Sequence, residues 1–133
     1  LVDKQINIIY EDGERYIWFD PGHLRQILMN LIANSIEASP KLGVIRISAE
    51  ESDKRILIEV QDEGGGLEAG DETKVFEPFF SKKENGTGLG LAISRKLCLE
   101  NQAEIWATNN ADKGCTFFIS VNRNNVEQKI ERT

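Results

Sequence analysis

Glycines alternate through Gly86-Thr87-Gly88-Leu89-Gly90-Leu91 and lead straight into a segment, residues 92–99, with helical patterning. Glycine has no Cβ, so its backbone can approach an anion closely. The turn that opens such a helix presents N–H groups where negative charge is favoured. Alone, an ordinary glycine-rich turn before a helix reads the same way. Two upstream groups of residues shift the balance. Asn30, Asn34 and Glu37 stand at i, i+4 and i+7, one polar stripe beside an apolar helix face. Amides at the edge of a buried face need partners. Asparagine carbonyl oxygens are hard ligands for Mg²⁺, which keeps waters and takes oxygens from phosphates. In isolation the stripe also reads as the ordinary polar flank of a helix.

The second group is Asp62-Glu63-Gly64-Gly65-Gly66-Leu67. Asp62 continues the parity of Ile56, Ile58 and Val60, so its carboxylate leaves the strand on the core side, where it needs a partner. Gly64 and Gly66 remove side chains that would block a flat ligand. An adenine exocyclic amine would satisfy the carboxylate through a charge-assisted hydrogen bond, although Asp-Glu-Gly is also a common loop sequence. Between this group and the glycine run lies Val75-Phe76-Glu77-Pro78-Phe79-Phe80, then Ser81, Lys82 and Lys83. Three phenylalanines in a loop are expected to anchor it to the core or to a partner. Lys82 and Lys83 are placed to reach phosphates as point charges, or to form a solvated pair. Taken together these residues describe a nucleotide site.

The elements that must position them follow from patterning. Ile6, Ile8 and Tyr10 alternate with polar neighbours, and residues 11–14 turn the chain toward Tyr16-Ile17-Trp18-Phe19, which predicts a β-hairpin. Asp20-Pro21 is a helix start, a carboxylate cap followed by proline in the first turn. Leu24, Ile27, Leu28, Leu31, Ile32 and Ser35 mark one face of a long helix that ends near Ser39-Pro40. Two strands follow, carrying Ile45, Ile47 and Ala49, then Ile56, Ile58 and Val60. Residues 63–85 are expected to be irregular and far longer than an ordinary loop, hence a lid or binding loop. A second long helix is expected over residues 88–101, then strands over 104–108 and 115–121. The polar tail, residues 122–133, has no apolar face to bury. This order predicts an α/β (α+β) two-layer sandwich, a mixed sheet of about five strands covered on one face by helices.

With 133 residues, 40% apolar and 29% charged, the chain has the make-up of one globular domain. The net charge of −6 and an isoelectric point near 4.9 argue against a nucleic-acid surface, yet a few backbone amides and one or two lysines suffice to hold a nucleotide. No apolar run approaches the roughly 20 residues that span a bilayer. Cys98 on a helix and Cys115 on a strand fit a reducing cytosol and make neither a metal site nor a redox pair. The expectation is a cytoplasmic module excised from a longer protein, which itself is either membrane-anchored or not.

An asparagine-bearing helix, Asp-x-Gly-x-Gly, Phe-Glu-Pro-Phe-Phe and Gly-Thr-Gly-Leu-Gly-Leu, in this order, resemble the catalytic ATP-binding domain of sensor histidine kinases, members of the Bergerat-fold ATPase and kinase superfamily. The resemblance covers residues 6–121. The version Asn-Leu-Ile-Ala-Asn-Ser-Ile-Glu-Ala with a short lid looks like the nitrogen-regulator type. It implies a catalytic domain over residues 1–121 with a lid at about 67–85, followed by the tail. It implies further that Asn34 coordinates Mg²⁺ with Asn30 in support, and that Asp62 binds the adenine amine. Gly64, Gly66 and Leu67 would shape the adenine pocket, Lys83 would approach the terminal phosphate, and Gly86, Thr87, Gly88, Leu89 and Gly90 would wrap the triphosphate.

This chain departs from the pattern at four places. Glu37 stands where many members have a basic residue, and Glu63 and Gly65 replace the common Asn and Pro. Cys115 takes the place usually held by Thr or Ser, so either Cys115 or Thr116 assists adenine binding; alternation puts Cys115 on the core face with Phe117, which makes its thiol the nearer group.

The resemblance implies Mg-ATP as cofactor and donation of the γ-phosphoryl group to a histidine on a dimerisation and phosphoacceptor domain absent from this chain. A response-regulator receiver domain would accept it next. His23, one residue after Asp20-Pro21-Gly22, is expected to be a helix-start surface residue and not that acceptor. Hydrolysing relatives of the gyrase, mismatch-repair and heat-shock-chaperone kind place a water-activating glutamate one turn before the metal asparagine. Asn30 occupies that position here, and an amide is a poor general base. An anti-sigma-factor serine kinase is a further alternative, against which the Phe-Glu-Pro-Phe-Phe motif argues. A degenerate module that binds nucleotide only to regulate an interaction is a third, and the intact motifs argue against it.

Overall fold

A computed structural model describes residues 7–10, 17, 19–80 and 88–122. Five strands, β1 (Asn7–Tyr10), β2 (Val44–Glu51), β3 (Arg55–Gln61), β4 (Ala103–Asn109) and β5 (Cys115–Asn122), form one sheet in the order β1-β2-β3-β5-β4. β1 pairs parallel with β2 and the remaining pairs are antiparallel, so the sheet is mixed. Helices α1 (Pro21–Ala38) and α3 (Gly90–Glu100) lie side by side, and α2 (Asp71–Lys74) is a single turn between β3 and α3. Tyr16-Ile17-Trp18-Phe19 was the expected second arm of a hairpin. Its described members, Ile17 and Phe19, lie outside any strand and pack against the core, while β1 takes β2 as its described partner.

Alternation decides which sheet face is covered. Ile45 and Val60, then Phe117, Ile119 and Val121 of β5, are all essentially buried and share the face that meets Ile27 and Leu31 of α1 and Cys98 of α3. The register carries this face across the sheet, with Ile47 opposite Val60, Val60 opposite Phe117, and Phe117 opposite Ala107. Removing these side chains from water is the main favourable term that holds the two layers together.

α1 begins as its sequence dictates. The Asp20 carboxylate accepts from the His23 N–H at 2.9 Å, and Pro21 occupies the first turn, where its missing N–H costs nothing. Far along the chain, Asn101 ties the C-terminal end of α3 to this start. Its Oδ1 accepts from the Asp20 N–H at 2.8 Å, and its Nδ2 donates to Leu97 O at 2.7 Å and meets His23 Nδ1 at 3.0 Å. His23, expected on the surface, is therefore half-buried and joined to α3.

The middle of the region expected to be irregular is anchored. Val75 and Phe76 are buried, and Phe76 packs edge-on against Phe117 with ring centroids 6.2 Å apart. Phe79 is the opposite case, 77% exposed with a backbone φ of 67°.

Candidate functional site

Asp62 stands where β3 leaves the sheet, and it is 2% exposed. Its Oδ1 accepts the Gly64 N–H at 2.9 Å and the Cys115 N–H at 3.1 Å. Its own N–H donates to Cys115 O at 2.9 Å. Both backbone donors fall on the same carboxylate oxygen, Oδ1. The loop just beyond is pressed onto the last turn of α1: a Cβ on Gly64 would stand 2.5 Å from Ala38 O, a separation no side chain tolerates. Leu67 ends this strap in a paired contact with β4, its N–H donating to Asn109 Oδ1 at 2.7 Å and its carbonyl accepting from Asn109 Nδ2 at 2.8 Å. Gly66 between them has a positive φ of 80°.

Across the site, the asparagine stripe meets the glycine run. Asn30 Nδ2 donates to Gly90 O at 3.1 Å and to Ser94 Oγ at 3.2 Å, and Ser94 Oγ donates to Gly90 O at 2.9 Å. The amide therefore pins the first turn of α3 against α1. Asn34 is half-buried one turn further along α1, and Glu37 is exposed beyond it. Leu89 holds the cap position of α3, where its side chain offers the first-turn N–H groups no acceptor. Just before it, Gly88 O accepts the Phe79 N–H at 2.9 Å, so the phenylalanine motif docks on the glycine run. Lys82, Lys83, Gly86 and Thr87 lie outside the described residues.

Cys115 and Thr116 face opposite sides of the sheet. Cys115, buried on the helix side with Phe117, has its thiol pushed up to about 12 by burial first and then by the Asp62 and Glu72 carboxylates, so it stays protonated at neutral pH. The buried Thr116 spends its hydroxyl on Asn110 Oδ1 at 2.5 Å. Glu63, one of the departures from the family pattern, has a structural partner: its Oε1 accepts the Val44 N–H at 2.7 Å, where β2 begins.

Three residues that sequence reasoning passed over support this site. Asn101 closes the α1–α3 pair, while Asn109 and Asn110 hold the strap. A signal was present for the last two, since Asn-Asn-Ala-Asp-Lys-Gly after a strand is turn chemistry.

The arrangement matches a known family. Residues 19–125 fit the family described as histidine kinase-, DNA gyrase B-, and HSP90-like ATPase. The chain belongs to this family. Within this ATPase family it is similar to sporulation kinase E of Bacillus subtilis (strain 168), with 35% identity over 130 residues, which are 96% of this chain and 17% of that protein. It therefore spans about a sixth of that relative's length. The catalytic domain of histidine kinase ThkA superposes with a TM-score of 0.78 at 32% identity, covering 88% of this chain and 78% of that one. Full-length ShkA in complex with AMPPNP gives 0.76 at 28% identity, covering 87% of this chain and 25% of that one. ThkA in complex with the response regulator TrrA gives 0.74 at 29% identity, covering 88% and 34%. The Bergerat-type layering read from the sequence, a mixed sheet under helices, is the fold these histidine kinase domains share with this chain.

Proposed function

We propose that this chain is the ATP-binding catalytic domain of a two-component sensor histidine kinase. It binds Mg-ATP and donates the γ-phosphoryl group to a histidine on a dimerisation and phosphoacceptor domain of its parent protein, from which a response-regulator receiver domain takes it. The observation that carries this reading is Asp62, a buried carboxylate held through one oxygen by two backbone N–H groups at the mouth of a glycine strap. Its second oxygen is suited to accept from an adenine amine, and Gly64, Gly66 and Leu67 form the wall beside it. The AMPPNP of ShkA and the response regulator of ThkA support carrying the same ligand class and partner to this chain.

The donor set fits Mg²⁺. Asn30 uses its amide nitrogen on α3, and Asn34 carries the next side-chain carbonyl on the stripe, a neutral hard oxygen that leaves the remaining positions to phosphates and waters. Magnesium there would neutralise charge on the transferring group. Lys83 and the run Gly86, Thr87, Gly88, Leu89 and Gly90 are assigned to the phosphates, with residues 67–85 as the lid over them. Phosphoryl transfer needs positioning and charge neutralisation more than a strong base, so the domain needs no nucleophile of its own. The hydrolysing alternative is disfavoured at one position. Residue 30 is an amide already donating to Gly90 O and Ser94 Oγ, and nothing there can activate water.

The test is transfer from labelled ATP. The chain alone is expected to bind ATP, to label itself no further than background, and to hydrolyse ATP at a trace rate. Adding a histidine-bearing helical domain of a matching kinase should yield an acid-labile, alkali-stable product, unchanged in the His23→Ala variant. Rapid release of phosphate by the chain alone would favour the hydrolysing relatives, and loss of labelling in the His23 variant would overturn the assignment.

A further inference from the structure

Asn109 and Asn110 end β4 and begin the loop to β5, and between them they hold the whole strap from Asp62 to Leu67. Asn110 grips its first residue. Its Nδ2 donates to Asp62 O at 3.0 Å and to Lys113 O at 3.1 Å, and its Oδ1 accepts from Thr116 Oγ1 at 2.5 Å. Every hydrogen of this amide is thereby committed, and one side chain joins β3's exit, its own loop and β5. Asn109 grips the last residue, pairing with both the N–H and the carbonyl of Leu67 as a neighbouring strand would. Close approach of the loop is built in as well. Gly114 has a φ of 85°, and a Cβ there would stand 2.1 Å from Asp62 O.

The strap itself cannot supply this order. Residues 64, 65 and 66 are all glycine, the residue with most backbone freedom to lose on folding. A carboxylate that reads a base must be held within a fraction of an ångström of its productive position. We propose that the Asn109–Asn110 pair is the positioning device of the base site, two amides that clamp the glycine strap at both ends and so set where the Asp62 carboxylate and the Gly66–Leu67 wall stand. This inference rests on the reading that Asp62 recognises adenine. Thr116 enters as a support of Asn110, which gives its hydroxyl a part in base recognition without contact with the base.

The experiment uses the 133-residue chain, titrated calorimetrically with ATP and with inosine triphosphate, in which a carbonyl replaces the adenine amine. Asn109→Asp keeps the acceptor for the Leu67 N–H and loses the donor to its carbonyl; Asn110→Ala removes the other clamp. Each should weaken ATP binding about three- to tenfold, the scale of a lost hydrogen bond. Inosine triphosphate, which meets the same wall but has no amine for Asp62, should lose less, so the preference for ATP should fall. A role in stability alone would lower the melting temperature and leave both affinities, measured well below it, unchanged; that result overturns the proposal. If Asn110→Ala does not fold, Asn109→Asp, at an exposed position, decides by itself. Asp62→Asn separates the two readings. If it leaves the ATP preference intact, recognition by Asp62 is wrong and the clamp proposal falls with it. If it abolishes the preference while both asparagine variants retain it, Asp62 stands and the clamp is refuted.

Discussion

Replacing Asp62 by asparagine changes one oxygen for an amide nitrogen at constant shape, and the structure says which consequences follow. Oδ1 accepts from the Gly64 and Cys115 N–H groups at 2.9 and 3.1 Å. The asparagine carbonyl can take over both bonds, so the amide nitrogen falls where Oδ2 was, the oxygen proposed to meet the base. An adenine amine then meets a donor instead of a charged acceptor. A hydrogen bond to a charged group contributes about 1.5–3 kcal/mol, so ATP affinity should fall about 10- to 150-fold. Inosine triphosphate should respond oppositely, because its carbonyl can accept from the new amide; its affinity should hold or rise. Calorimetric titration of both nucleotides against both proteins, with a thermal melt of each, measures all of this. Two results would refute the reasoning. One is equal affinity of the wild-type chain for ATP and inosine triphosphate. The other is an Asp62→Asn variant that melts normally and loses affinity for both nucleotides to the same extent, which would place the carboxylate away from the base.

Asn34→Ala should remove most of the Mg²⁺ dependence of ATP binding while the circular dichroism spectrum is kept, since alanine is the better helix former; unchanged Mg²⁺ dependence would move the ligand elsewhere. Phe76→Ala empties a 5% exposed position packed edge-on against Phe117 and should cost about 3–5 kcal/mol in urea-unfolding free energy, whereas Phe79→Ala, at an exposed position, should cost far less. Burial raises both Cys98 and Cys115 from an ordinary thiol value near 9 to about 12. A raised folded value means that their contribution is complete below pH 9 and is lost as pH climbs from 9 toward 12, because the unfolded thiols ionise first. The urea midpoint should therefore fall over that window, and fall less steeply in Cys98→Ala than in the wild-type chain; parallel slopes would contradict it.

Much of this protein is legible one residue at a time. The cap and proline at residues 20 and 21, the 3.6-residue spacing of Ile27, Leu31 and Ser35, and the two-residue alternation of β2, β3 and β5 are local rules, and they place α1 and the strands within a residue or two of where they lie. The inward parity of Asp62 is also local, since it needs only the alternation of the strand before it. Local rules did not find α2, which is a single turn whose neighbours Val75 and Phe76 are held by the core rather than by helix propensity. Nor did they find the parallel pairing of β1, because a strand's pattern shows which face is apolar and not which neighbour it takes.

The site divides the same way. Residue types announce an amide stripe, a carboxylate at a glycine strap and a glycine run, since the chemistry of a side chain travels with its identity. What brings Asn30 onto Gly90, 60 positions later, is the packing of α1 beside α3. What fixes Asp62 is β5 returning beside β3, which delivers the Cys115 N–H and, through the β4–β5 loop, the Asn110 amide. In the sequence Asn109 and Asn110 announce a turn and Asn101 a helix end, but not what any of them binds. Most of their partners are backbone groups of Asp20, Asp62, Leu67, Leu97 and Lys113, which carry no residue identity, so no spacing names those contacts. Only the folded chain, in which buried carbonyls and amides must each find a partner, decides that Asn101 joins the two helices and that Asn109 and Asn110 hold the two ends of the segment from Asp62 to Leu67.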